Sequence, residues 1–215
     1  MKKVFIATLS LIFLSLQANA ARKSRFFVGT DYLSVDAKHE YFVNYQATIL
    51  NPARIDASNV NHGIGFSLGY RAYLKQLFVA PEFFFDYINS STADFYASEA
   101  GFDQDELAIN YRYGLKINVG YNLWRTMNVF VNAGISRVDF DIRWKNEGAN
   151  QAGNRSYGSS KIVPIYGAGI SYDITPYLTL RLGWDMQNFN LRYVEQGLVD
   201  RVTLNVYKAG FTVNF

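Results

Sequence analysis

The sequence predicts an all-β fold: an eight-stranded antiparallel up-and-down β-barrel that crosses a membrane. Three observations carry this expectation. Eight segments alternate apolar and polar residues with the period of two that places successive side chains on opposite faces of a strand. The connections between them alternate between short and long, as in barrels whose turns lie on one side of a membrane and whose loops lie on the other. The last nine residues place Tyr207, Ala209, Phe211, Val213 and Phe215 on one side of an extended strand, and Lys208, Gly210, Thr212 and Asn214 on the other. A strand with one wholly apolar side that ends on Phe suits a face turned to lipid.

The first element is not part of that barrel. Met1, Lys2 and Lys3 form a short basic region, residues 4–16 are apolar apart from Thr8, Ser10 and Ser15, and Ala18-Asn19-Ala20 is a small-x-small site. This is the pattern of a cleaved secretory signal peptide over residues 1–20. The apolar run of about 13 residues is shorter than the roughly 17 that a spanning helix needs. Residues 21–215 are then one barrel domain. With no cysteine in the chain, a disulfide framework or thiolate metal site is excluded. Without Lys2 and Lys3 the balance is 19 basic to 18 acidic residues, which gives no reason to expect nucleic acid. The 16 Tyr, 17 Phe and 16 Gly, against 4 Pro, suit many short strands with small residues where backbones crowd.

The strands follow in order. The first spans 26–36. The second, 62–74, carries Ile64, Phe66, Leu68, Tyr70 and Ala72 on one face, with Gly63, Gly65, Ser67, Gly69 and Arg71 on the other. The third, 77–89, sets Val79, Pro81, Phe83, Phe85 and Tyr87 opposite Ala80, Glu82, Phe84 and Asp86. The fourth, 109–121, has the most regular alternation, with apolar or aromatic residues at every odd position. The fifth begins on Val129, Val131, Ala133 and Ile135, then changes parity near Ser136–Arg137 to Val138, Phe140, Ile142 and Trp144, which suggests a bulge. The sixth and seventh cover 162–173 and 178–187. The eighth, 201–215, changes parity before Tyr207. Pro81 and Pro164 each remove a ladder donor inside a strand, so bulges are expected there as well.

Residues 75–76, 122–127 and 175–176 read as tight turns; 37–61, 90–107 and 145–160 read as long loops, and 195–200 as an intermediate one. An even number of strands puts both ends of the chain on the short-turn side, the periplasmic side of such barrels. In lipid no backbone donor can go unpaired, so the eighth strand must close on the first. Eight strands leave an interior just wide enough for side chains to fill.

The inward faces combine glycine with charge. Partners in an antiparallel hairpin have a constant sum of residue numbers, and Glu82 with Lys116 shares its sum with Asp86 and Arg112. One register would stack both ion pairs, and Arg71, Arg181 and Asp185 could join them. Buried charges must be paired, so a plug of interlocked charges is expected, in contrast to an open lumen with individually solvated charges.

The signal peptide, the eight alternating strands and the Tyr207–Phe211–Phe215 ladder together resemble the small outer-membrane barrels of the OmpA/OmpX type, over the whole mature chain and without a peptidoglycan-binding domain. The resemblance implies residence in the bacterial outer membrane, among its lipid and lipopolysaccharide. It also implies that Tyr207, Phe211, Val213 and Phe215 act as an insertion signal for the outer-membrane assembly machinery and its periplasmic chaperones.

Catalytic chemistry is thinly represented. Some eight-stranded barrels modify lipid A with a His/Ser pair or a His, Asp and Ser set, but the chain has only His39 and His62. His39 near Asp94 and Ser90 or Ser91 is the sole combination, so no enzyme is expected. Asp103, Asp105 and Glu106 form an acidic run that reads as a solvated loop surface more readily than a calcium site, and no metal or cofactor is expected. The glycine-rich stretch 148–158 reads as a loop tip. Tyr32, Tyr73, Trp124, Trp144 and Tyr177 fall near strand ends, where aromatic girdles form. The expectation is a monomeric, structural or surface-interaction barrel, adhesion-like, that meets a host or cell-surface ligand through loops 37–61, 90–107 and 145–160. A small porin-like channel is the alternative. A soluble lipocalin-like binder is disfavoured by the charged inner face.

Overall fold

The computed structural model describes residues 24–40, 56–98, 101–124, 126–146, 153–193 and 198–215; the expected signal peptide lies outside them. Eight strands form one closed antiparallel barrel in sequence order: β1 (Arg25–Glu40), β2 (Asp56–Leu74), β3 (Leu77–Ser98), β4 (Gly101–Asn122), β5 (Met127–Asn146), β6 (Gly153–Asp173), β7 (Leu178–Tyr193) and β8 (Leu198–Asn214). β8 closes on β1 from Phe27↔Asn214 to Glu40↔Arg201, and Phe215 donates its backbone N–H to Phe26 at 2.9 Å.

The tight turns sit together at one end. Leu74↔Leu77 closes a two-residue hairpin in which Lys75 adopts φ 58°, the left-handed conformation that such turns need to match strand twist. Leu123 donates to the Met127 carbonyl at 3.0 Å, and Ile174 to that of Leu178 at 2.9 Å. In the latter turn the Thr175 hydroxyl accepts the Leu178 N–H at 3.0 Å.

At the other end the strands run far past a membrane crossing. They are 16–22 residues long, whereas a tilted crossing takes roughly 9–11. The described parts of the expected loops 37–61, 90–107 and 145–160 are therefore paired strand. Pairing continues to Glu40↔Asp56, Ser98↔Gly101, Asn146↔Gly153 and Tyr193↔Leu198. The connecting residues 41–55, 99–100, 147–152 and 194–197 lie outside the described residues.

The sequence misreads these extensions because the apolar face changes sides. On β5, Val131 and Ile135 point outward and are exposed, while Val138, Phe140 and Ile142 point inward and are buried. On β8, Tyr207, Phe211 and Val213 point outward, while Val202, Leu204 and Val206 point inward. Neither change is a bulge: β5 pairs with β6 in one unbroken register from Met127 to Asn146, and β8 keeps one register against both neighbours. The surroundings change instead. Near the turns lipid covers the wall, so apolar residues face out; farther along water covers it, so apolar residues face in. The register shifts that do occur lie between Tyr87 and Ser90 of β3 and between Ile109 and Tyr111 of β4, with Asn89 at φ 47°, a conformation that Asn tolerates better than most residues.

The two prolines do not mark bulges either. Pro81 pairs in register with Ile117 on β4. On its β2 side the ladder lapses between Gly69↔Glu82 and Ala72↔Val79 and resumes in the same register, because proline has no donor to offer. Pro164 marks a larger change. β6 and β7 pair only from Asp173↔Thr179 to Tyr166↔Met186. Beyond Tyr166, β6 stays paired with β5 and β7 with β8, and the seam between β6 and β7 is open.

The lumen is layered. Phe27, Tyr73, Phe78 and Ala80, with Phe130, form an apolar floor near the turns. Tyr73 is thus an inward residue and not part of a girdle, as its odd parity on β2 requires; Tyr32, Trp124 and Tyr177 are exposed on the wall, and the Trp144 side chain lies outside the described ones. Fifteen residues, including Leu33, Ile109, Val138, Phe140, Val163, Phe189 and Leu204, fill the far end. Between them lies a layer of buried charge.

Candidate functional site

The charged layer is built from inward residues of five strands. β3 supplies Glu82 and Asp86, β4 supplies Arg112 and Lys116, β7 supplies Arg181 and Asp185, β1 supplies Asp31, and β8 supplies Lys208; all are buried. The β3–β4 register sets Glu82 opposite Lys116 and Asp86 opposite Arg112.

Contacts across the barrel knit these pairs together. Arg112 donates through Nε to Asp86 Oδ2 at 2.9 Å, and its Nη2 forms an ion pair with the same oxygen at 2.9 Å. It also reaches Asp185 Oδ2 at 3.3 Å and Gln187 Oε1 at 2.6 Å. Lys116 Nζ lies 3.2 Å from Asp185 and 3.7 Å from Glu82. Lys208 Nζ lies 2.8 Å from Asp86 and 3.4 Å from Asp185. Arg181 bonds Glu82 at 2.9 Å and Ser67 Oγ at 3.1 Å, and forms a close ion pair with Asp31. Asn118 and Asn132 donate to Glu82 and Asp185 at 3.0 and 3.1 Å. Four carboxylates thus meet four cations, and Asn118 and Asn132 add neutral donors, as tolerated buried ions require; Glu82 Oε1 makes no hydrogen bond and faces Lys116 Nζ only at ion-pair distance.

Phe84 explains its own place on an inward position. Its ring lies 4.9 Å from Lys208 Nζ, 5.4 Å from Lys116 Nζ and 5.5 Å from the Arg112 guanidinium carbon. Its ring therefore stands within cation–π distance of three cations. Val163 and Ile165, the other apolar residues expected in the lumen, are buried as well.

Of the residues expected in this layer, Arg71 is elsewhere. It sits one level lower, with its guanidinium 5.1 Å from the Phe78 ring and 5.7 Å from that of Phe27, and donates to the Tyr73 hydroxyl at 3.4 Å. Asp31 and Lys208 were not singled out in the sequence. Lys208 carries a usable signal, since it lies on the inward parity of the closing strand.

Glycine makes room for the network. A Cβ on Gly167 would lie 2.7 Å from Asp185 Oδ1, and one on Gly65 would lie 2.6 Å from Asp86 Oδ1. These close approaches require residues without side chains.

The remaining candidates separate. His39 and Asp94 lie in β1 and β3, which are not neighbours in the barrel, and their side chains lie outside the described ones. Ser90 is buried and accepts from Asn61 Nδ2 at 2.8 Å. His62 shares a 2.6 Å hydrogen bond with the Tyr32 hydroxyl. Asp103, Asp105 and Glu106 belong to β4 and not to a loop; Glu106 lies 3.7 Å from Arg143. Residues 153–158 of the glycine-rich stretch belong to β6. Tyr207, Phe211, Val213 and Phe215 are exposed on the outer wall.

Comparison with known proteins decides the family. The outer membrane protein beta-barrel domain matches residues 6–215. The chain belongs to that family. Its members reside in the bacterial outer membrane, and this barrel is an outer-membrane protein. OprG from Pseudomonas aeruginosa is similar in structure, with a TM-score of 0.54 at 10% identity over 90% of this chain and 97% of that one. Neisserial surface protein A gives 0.50 at 16% identity, over 90% and 100%. A major outer membrane protein from Thermus thermophilus gives 0.50 at 13%, over 90% and 100%. At such identities the likeness is one of fold. No curated protein matches the chain.

Proposed function

We propose that this protein is a closed, non-catalytic surface barrel: it anchors in the outer membrane and holds its hairpins outside the cell, with a lumen plugged against solutes. The observation that carries the reading is the charged layer itself. Arg112, Asp86 and Asp185 pair across the lumen centre, with an apolar floor below and an apolar core above. Water or a solute would have to break several buried ion pairs to pass, and each would leave an uncompensated charge. The apolar core also stiffens the outward half of the barrel, which favours presenting the hairpin tips to a host or cell-surface ligand over folding them back as a lid. The exposed Tyr207, Phe211, Val213 and Phe215 ladder is the segment we assign to recognition by the assembly machinery.

Current through the refolded protein in planar bilayers tests the plug. We expect silent insertions. Discrete open-channel steps in the wild-type protein would establish the small-channel alternative.

A further inference from the structure

Far from the turns the wall is no longer one sheet. The β2–β3 ladder stops at Ile64↔Tyr87 and the β6–β7 ladder at Tyr166↔Met186. Beyond these pairs, among the described residues, β3, β4, β5 and β6 keep one another as ladder partners, and so do β7, β8, β1 and β2. This half of the molecule is therefore a sandwich of two four-stranded sheets, with the apolar far-end core between them. A sandwich has edge strands where a closed barrel has none.

The two seams differ. Along β2–β3 the strands stay in touch: a Cβ on Gly63 would lie 2.3 Å from the Tyr87 carbonyl oxygen, and Asn61 reaches Ser90 Oγ at 2.8 Å. Along β6–β7 there is an open surface groove of about 1040 Å³, between the β6 edge at 159–164 and the β7 edge at 188–191. Lys161 crosses it to donate to the Asn190 carbonyl. Its floor is sealed, because Phe140, Val163, Phe189 and Leu191 are packed to 1–6% exposure.

The groove offers backbone chemistry. Two facing strand edges without ladder partners are a template for one further strand. The sealed floor leaves such a strand room for small side chains only on its inner side. On the outer side the charged residues lining the groove are Lys161 and Arg201, both exposed, and no carboxylate lines it among the described residues. A second copy of this chain would bring the same cations against them, and edge lysines oppose such self-pairing. The complementary occupant is acidic and belongs to another protein.

We propose that the β6–β7 seam captures an extended, acidic segment of another protein as an added strand that pairs with both edges. Gly, Ala or Ser of the segment would face the sealed floor, and Asp or Glu would face out over Lys161 and Arg201. Main-chain pairing supplies the affinity, and the alternating side chains select the segment. Lys161 yields the Asn190 carbonyl to the incoming strand and turns to its carboxylates. The inference deepens the surface-interaction reading above and rests on it for the outward placement of the seam; it does not depend on the plug.

The test uses the full chain refolded in detergent micelles and the fluorescein-labelled peptide Thr-Ala-Glu-Ser-Glu-Ala-Thr, about 23 Å long when extended. Fluorescence anisotropy should show saturable binding. Two further peptides keep every side chain but carry N-methyl groups on alternate residues, one on the Thr and Glu positions and one on the Ala and Ser positions, so that each lacks the donors for one edge. Each should bind at least roughly tenfold more weakly, and Lys161→Glu with Arg201→Glu should weaken the parent peptide to a similar extent. No saturable binding of the parent peptide, or equal binding of the methylated ones, would overturn the added strand. A loss for only one methylated peptide would overturn pairing with both edges. A membrane-impermeant maleimide on intact cells carrying Asn190→Cys separates this inference from the reading beneath it. Absent labelling contradicts the outward placement itself, whereas labelling without peptide binding overturns the added strand alone.

Discussion

The Lys208 ammonium lies 2.8 Å from the Asp86 carboxylate, joining the closing strand to the third strand across the lumen. Asp86 also holds Arg112 at 2.9 Å, so one carboxylate neutralises two buried cations. Asp86→Ala is expected to destabilise the barrel by about 3–5 kcal/mol, because it leaves those cations buried and unpaired. In urea unfolding from lipid vesicles, Asp86→Ala with Lys208→Ala should cost less than the sum of the single changes, as coupled partners do. Strict additivity would show that the two side chains do not interact.

Phe84 tests whether cation–π contact adds to packing. Phe84→Leu keeps an apolar side chain but removes the π-face that Lys208, Lys116 and Arg112 surround. We expect a loss of about 1–2 kcal/mol, measured by the same unfolding assay. The loss should shrink in a Lys208→Met background.

Two glycines in facing strands predict opposite signs. A Cβ on Gly167 meets Asp185 Oδ1 at 2.7 Å, whereas one on Gly183 finds its nearest atom at 3.8 Å. Gly167→Ala should destabilise by about 1–3 kcal/mol through overpacking. Gly183→Ala should be neutral or stabilise by about 0.4–1 kcal/mol by restricting the unfolded chain.

The outward half of the barrel should behave as a water-soluble β-structure. Leu204 is fully buried in its core and Asn205 next to it faces out. Leu204→Ala is expected to cost about 2–5 kcal/mol and to admit protease at the hairpins of intact cells. Asn205→Ala should do neither.

Much of the fold was legible because period-two alternation and closure are local rules. Strand order, the turn end and the 82/116 and 86/112 register all follow from residues in adjacent strands. The boundaries and supposed slips at Ser136–Arg137 and before Tyr207 were misread because alternation reports which face is apolar, not which face points inward. When the solvent outside the wall changes from lipid to water, the pattern inverts on an unbroken strand. The charged layer was only partly legible for a related reason. Lys208 meets Asp86, and Asp31 meets Arg181, on strands that are not their neighbours, and the vertical level of a residue across the lumen depends on strand stagger. The same stagger drops Arg71 to the floor.

That inversion can be measured along one strand. The chain has no cysteine, so single cysteines can be placed from 202 to 213 on β8, spin-labelled and read for access to oxygen in lipid or to a water-borne relaxation agent. The lipid signal should appear at Tyr207, Ala209, Phe211 and Val213, the water signal at Thr203 and Asn205, and neither at Val202, Leu204 or Val206. Lipid access at Val202, Leu204 and Val206 would contradict the single unbroken register, and with it the apolar core that closes the barrel from outside.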